Sequence, residues 1–191
     1  VKTDPENADA TASRKEDDRE HKSDNQNLKN RFSNDSLVIT KINELQEKNQ
    51  RLLISGTSSE IRTVKLQNAL LKSFENWKGT RYAFGGDSSR GIDCSALTRR
   101  VYREVFSFEL PRVTKDQIKV GRHVSRNNLK PGDILYFRPD GKYNHTAVYL
   151  GNSLFINASS SKGVILSSME HSYWSKYFVH GVRVDTASAN V

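Results

Sequence analysis

Residue 94 is the single cysteine of the 191-residue chain, and its neighbours make a helix start around it. Gly85-Gly86, Asp87-Ser88-Ser89 and Gly91 read as a loop. Asp93 has the short acceptor side chain an N-cap needs, and Leu97, Val101 and Val105 then recur at four-residue steps. A thiol on the first turn meets unpaired backbone N–H groups and the positive end of the helix dipole. Both favour the thiolate, which is the nucleophilic form. A lone cysteine is more commonly a small buried hydrophobe. Reading Cys94 as a nucleophile therefore requires a base and a third group to orient that base.

Five histidines are available: His21, His123, His145, His171 and His180. His21 lies in a polar N-terminal stretch and His123 in a polar loop, and His171 and His180 read as surface residues. His145 differs because it opens the strand pattern 144–150, directly after the Pro139-Asp140-Gly141-Lys142 turn. A sheet can fix such a residue while its ring reaches a helix terminus. Asn157 is the polar residue in the apolar run Phe155-Ile156-Asn157-Ala158. A buried amide there needs partners, and an imidazole N–H donating to its oxygen would also fix the tautomer. Register sets a condition on this pair. A two-residue Gly151-Asn152 turn would pair Leu150 with Ser153 and put His145 and Asn157 on opposite faces, so a three-residue loop or a bulge is expected there.

The elements that must position these residues follow from periodicity. Residues 1–36 mix charged and small polar residues without a repeat, and are expected to be a disordered tail. Val38, Ile42, Leu45, Leu52 and Leu53 predict a helix to about residue 54, within a helical linker or appendage over 37–59. A second helix is predicted from about Glu60 to Trp77, and one short helix from Thr114 to Val120. Strands are predicted at 134–138, 146–150, 154–158, 164–167 and 179–184. Helices first and strands after indicate an α+β class with an antiparallel sheet of about five strands. The catalytic domain is expected over 60–185, with 186–191 as a C-terminal tail.

Residues 1–36 hold 7 Lys/Arg and 9 Asp/Glu, whereas residues 37–191 hold 23 and 13, a net +10. The folded part is therefore basic and suits an anionic polymer. No run of Lys/Arg interleaved with aromatics points to nucleic acid, one cysteine excludes zinc-finger spacing, and no apolar run reaches the length of a membrane span. Met169 is the only methionine, so an N-terminal segment is expected to have been removed from ahead of Val1, either a targeting signal or by trimming.

Taken together, Tyr82-x-Phe84-Gly85-Gly86, Asp93-Cys94-Ser95, His145-x-x-Val148-Tyr149-Leu150-Gly151 and Phe155-Ile156-x-Ala158-Ser159 resemble the NlpC/P60 cysteine peptidases. The likeness runs from about Trp77 to Val184, takes in Leu110-Pro111-Arg112 and Leu129-Lys130-Pro131-Gly132-Asp133, and is nearest to the Gram-negative murein endopeptidase branch. It implies a permuted papain-like core and hydrolysis of peptidoglycan stem peptides without metal or cofactor. The bond implied is γ-D-glutamyl–meso-diaminopimelate, with the D,D cross-link as the alternative. Carried onto this chain, Cys94 is nucleophile, His145 base and then acid, and Asn157 the orienting group. Tyr82, Asp93 and Ser95 are expected on the oxyanion and substrate side. Relatives on this branch usually have His where Asn157 stands, and Gly plus an aromatic after the serine where this chain has Ala96-Leu97. A non-catalytic murein-binding domain is the competing reading, and a papain-like acyltransferase the third. A monomer in the periplasm or cell envelope is expected, with a membrane tether conceivable through the removed segment.

Overall fold

The computed structural model describes residues 35–186, so the expected tails over 1–36 and 186–191 lie almost wholly outside the described residues. Two long helices come first. Helix α1 is helical over 35–55, and α2 spans Ser58–Trp77. Between them Thr57 caps α2 with a capping box: its hydroxyl accepts from the Glu60 N–H, and its own N–H donates to the Glu60 carboxylate, both at 3.2 Å. This reciprocal pair starts the helix two residues earlier than the apolar periodicity suggests. Leu45 of α1 and Leu70 of α2 share a core cluster with Leu97 and Val101, and Lys41 of α1 is paired with Glu170 at 3.2 Å.

A two-stranded ribbon, β1 (Asp87–Ser88) and β2 (Gly91–Ile92), leads into α3 (Cys94–Phe106). The short helix α4 covers Thr114–Gln117 and stops three residues sooner than expected. The main sheet is fully antiparallel and has six strands in the order β3-β8-β4-β5-β6-β7. They are β3 (Arg122–Val124), β4 (Ile134–Phe137), β5 (His145–Gly151), β6 (Leu154–Ser159), β7 (Gly163–Ser168) and β8 (Phe178–Arg183). The five anticipated strands are all present. The sixth, β3, is a polar three-residue edge strand whose partner β8 lies some sixty positions away. Helix α5 (Ser172–Tyr177) was also not anticipated.

The sheet separates two cores. Val148, Ile156 and Ala158 belong to the cluster formed with α3, whereas Leu135, Phe137, Ala147 and Phe155 belong to a second one, against which Trp174 of α5 packs. Alternation along β5 assigns His145 to the second face and Thr146 to the α3 face.

The β5–β6 connection carries the register shift that the pairing of His145 with Asn157 requires. Val148 faces Ile156 and Tyr149 faces Phe155, but Gly151 faces Leu154, so Leu150 is an extra residue in β5. Gly151, Asn152 and Ser153 turn the chain with φ of 108°, 50° and 64°. Gln67 of α2 donates to the buried Leu150 carbonyl at 3.2 Å. Gln67→Ala should leave that carbonyl unsatisfied and cost about 1–3 kcal/mol in urea unfolding. A stability equal to wild type would show that the bulge does not depend on this contact.

Candidate active site

The nucleophile side of the site is built on Asp93. Its Oδ1 caps α3 by accepting from the Ala96 N–H at 2.9 Å, and its Oδ2 accepts from the Gly85 N–H at 2.9 Å. Arg112 donates to both carboxylate oxygens at 3.0 Å, to the Ser95 hydroxyl at 2.9 Å and to the Gly86 carbonyl at 3.3 Å. One carboxylate thus joins the helix start, the glycine loop and the segment after α3. The loop is tight: a Cβ on Gly86 would sit 2.4 Å from the Gly91 carbonyl oxygen. Asp93 and Ser95 are buried, and their side chains are engaged in this framework. They were expected among groups that meet the substrate. In this structure the hydrogen bonds of both side chains run to the framework around Cys94, Arg112 included.

A second buried network fixes the first turn of α3 to the sheet. Gln117 of α4 donates to the Ser95 carbonyl at 2.8 Å and the Pro111 carbonyl at 2.9 Å, and accepts from the Thr146 hydroxyl at 2.9 Å. Thr98 donates to the Cys94 carbonyl at 2.9 Å. The cysteine helix and the histidine strand are therefore held to one another by side chains that sit beside the thiol.

On the sheet side, His145 Nε2 lies 2.6 Å from Asn157 Oδ1. An amide oxygen only accepts, so Nε2 carries the proton. Asn157 is fully buried, and its Nδ2 donates to the Ser167 hydroxyl at 3.1 Å, which sets the orientation of the amide. That leaves Nδ1 as the ring nitrogen not engaged by Asn157, on a ring close enough to Cys94 for the two groups to shift each other's ionisation. The Trp174 indole stacks on the imidazole, with centroids 5.3 Å apart and planes 28° apart.

Burial pushes the Cys94 thiol up, but the positive charge and hydrogen bond of His145, the Thr146 backbone N–H and the Thr114 hydroxyl together outweigh it and hold the thiol below its ordinary value. The Thr114 oxygen is 3.8 Å from the sulfur. Burial likewise pushes the His145 imidazole down, and the Cys94 charge, the Cys94 hydrogen bond and the Asn157 hydrogen bond outweigh that, raising it. Each partner's charged form favours the other's, so the two groups are coupled in the direction of thiolate and imidazolium. The Tyr82 phenol is pushed up to about 12, first by burial and then by the negative charges of Cys94 and Asp93. It stays protonated at neutral pH and is able to donate a hydrogen bond.

The structure thus brings Cys94, His145 and Asn157 together, with Tyr82 near enough for the Cys94 charge to act on its phenol. His123 stacks on His180 with centroids 3.8 Å apart, away from this constellation. His171, expected at the surface, is buried because its Nδ1 accepts from the Tyr173 N–H and caps α5. Sequence reasoning did not single out Gln117, Trp174 or Ser167. For Gln117 the available signal was a polar residue on the inner side of a short helix.

Residues 79–183 match the NlpC/P60 family. The chain is 43% identical over 124 residues to the murein DD-endopeptidase MepS/murein LD-carboxypeptidase of Escherichia coli K12, covering 65% of this chain and 66% of that protein. It is 38% identical over 156 residues to a probable endopeptidase NlpC homolog of Haemophilus influenzae, covering 79% and 82%. Among solved structures, the NlpC/p60 domain of the peptidoglycan hydrolase SagA superposes with a TM-score of 0.53 at 28% identity, over 62% of this chain and 98% of that domain.

Iodoacetamide should alkylate Cys94 with a pH midpoint below the roughly 8.5 of a free thiol. In His145→Ala the midpoint should rise above that value, since burial would then act without its largest counterweight. An identical midpoint in both proteins would show that His145 does not charge the thiol.

Proposed function

Because the chain belongs to the NlpC/P60 family, we propose that it is a cysteine peptidase that hydrolyses peptide bonds in peptidoglycan. The observation that carries this reading is His145, held by Asn157 at 2.6 Å and near enough to Cys94 at the start of α3 for its charge to lower the thiol. Cys94 Sγ attacks the scissile carbonyl as thiolate. The developing oxyanion meets first-turn N–H groups, which have no acceptor within the helix, with the protonated Tyr82 hydroxyl as a further donor. His145 Nδ1, already protonated in the ion pair, gives its proton to the departing amine and leaves a thioester on Cys94. The neutral imidazole then takes a proton from water as that water attacks the thioester. Cys94 leaves as thiolate, the product acid is freed, and the imidazolium is restored. Asn157 keeps the ring in the one orientation that serves both transfers, and Trp174 covers the ring face.

For the bond, the family resemblance points to γ-D-glutamyl–meso-diaminopimelate. The 43% identity to a protein named as a DD-endopeptidase supports the D,D cross-link instead, and we take the cross-link as the bond cut. Among the described residues no helix is long and apolar enough to cross a membrane. Action on peptidoglycan puts the protein in the cell envelope, and the periplasm is the compartment proposed.

Digestion of purified sacculi followed by mass spectrometry should show cross-linked dimers converted to intact tetrapeptide monomers, with no conversion by Cys94→Ala. Disaccharide-dipeptide products would assign the γ-D-glutamyl bond instead, and equal activity of wild type and Cys94→Ala would refute the cysteine mechanism. Asn157→Ala should lower kcat/KM within the roughly 10²–10⁴-fold that a positioned acid–base group supplies. The same change removes a hydrogen bond that raises the His145 pKa, so the alkaline limb of the pH–rate profile should move to lower pH. An alkaline limb that stays in place would remove Asn157 from this role.

A further inference from the structure

Seven large apolar side chains are strongly exposed among the described residues: Ile39, Leu53, Ile54, Phe84, Val113, Tyr143 and Val179. Three of them lie next in the chain to segments that hold the site. Phe84 immediately precedes Gly85, whose N–H is bound by Asp93 next to Cys94. Val113 immediately precedes Thr114, whose hydroxyl is 3.8 Å from the sulfur. Tyr143 stands two residues before His145. Phe84 and Tyr143 are 73% and 78% exposed, yet they touch each other, with ring centroids 5.1 Å apart and planes 30° apart. The loop beside the nucleophile and the loop before the histidine thus meet through two aromatic rings.

Both loops are anchored in ways that present these rings. The Phe84 loop is tied by the Gly85–Asp93 contact and by the Gly86 N–H donating to the Ala83 carbonyl at 2.8 Å. In the other loop the charged side chains are drawn onto α5. Lys142 Nζ lies over the Tyr173 ring at 5.5 Å, and Asp140 accepts from the Tyr177 hydroxyl at 3.4 Å. Tyr143 is left facing solvent and Phe84. Contiguous exposed aromatic surface at the edge of a site marks a contact for a ligand.

We propose that Phe84 and Tyr143 form a carbohydrate subsite that holds a pyranose ring of the glycan strand to which the stem peptide is attached. This rests on the reading of the protein as a peptidoglycan hydrolase. A stem peptide offers carboxylates, ammonium groups, amides and small methyl groups, none of which needs two aromatic rings. The widest uncharged surface of such a substrate is the C–H face of its sugar rings, which packs against an aromatic face as other apolar groups do. The subsite makes the enzyme selective for glycan-attached stems over released peptides.

The test compares wild type, Phe84→Ala, Tyr143→Ala and Tyr143→Phe on two substrates, a disaccharide-peptide and the same peptide after amidase removal of the sugars. Binding to glycan strands stripped of peptide is measured in parallel. Wild type should prefer the disaccharide-peptide through a lower KM. Each alanine variant should raise that KM about three- to tenfold, leave the bare peptide unaffected, and weaken binding to stripped glycan by a similar factor. Tyr143→Phe, which keeps the ring, should behave as wild type. Iodoacetamide alkylation of Cys94 at the wild-type rate confirms that the variants are folded at the site. Equal wild-type rates on the two substrates, or parallel losses on both in the alanine variants, would overturn the proposal. If wild type hydrolyses neither substrate, the hydrolase reading fails. The glycan subsite is then judged by the stripped-glycan binding alone, which stands if the alanine variants weaken it and falls if they do not.

Discussion

The hydrogen bond between His145 and Asn157 exists because β5 and β6 are out of simple hairpin register by one residue. Side chains alternate faces along a strand, so a one-residue slip would send Asn157 to the α3 side of the sheet and leave the imidazole without its acceptor. The extra residue, Leu150, has its carbonyl bound by Gln67, and the turn that follows takes three residues with positive φ. A contact from α2, far from the chemistry, thereby supports the geometry of the site.

The two halves of the site are then brought into a fixed relation by groups that do not react. Asp93 gathers the helix start, the glycine loop and Arg112 on one carboxylate, and Gln117 joins the backbone of Ser95 to the side chain of Thr146. The Thr146 backbone N–H is also among the groups that hold the Cys94 thiol below its ordinary value. Thr146 is the neighbour of His145 and points to the opposite face. The first residues of β5 are therefore where the two cores meet, with the imidazole under Trp174 on one side and the thiol on the other. Burial alone would keep both groups neutral. Their mutual charge, reinforced by Asn157, Thr146 and Thr114, overrides it.

Much of this was legible in the sequence because it depends on local patterns. The Asp93 cap, the four-residue apolar repeat of α3 and the alternating strands are short-range features, and they placed Cys94, His145 and Asn157 on the right elements. Parity alone showed that a bulge was needed if the last two were to meet. What escaped depends on long-range contacts. Arg112 reaches Asp93 across nineteen residues and ties the segment after α3 to the helix start. The polar stretch Arg122-His123-Val124 becomes a strand only because β8 lies beside it. Helix α5 is six residues long, too short for a periodic signal, and its Trp174, like Phe178 at the start of β8, finds its place through an aromatic contact with Phe137.

The proposed chemistry turns on an ion pair between Cys94 and His145 in the resting protein. The most direct measurement is the ¹⁵N NMR spectrum of the His145 imidazole at neutral pH, in wild type and in Cys94→Ala. The account predicts both ring nitrogens protonated in wild type, and a neutral ring protonated at Nε2 alone once the thiolate is removed. A neutral His145 in wild type at neutral pH, unchanged by the loss of Cys94, would contradict it.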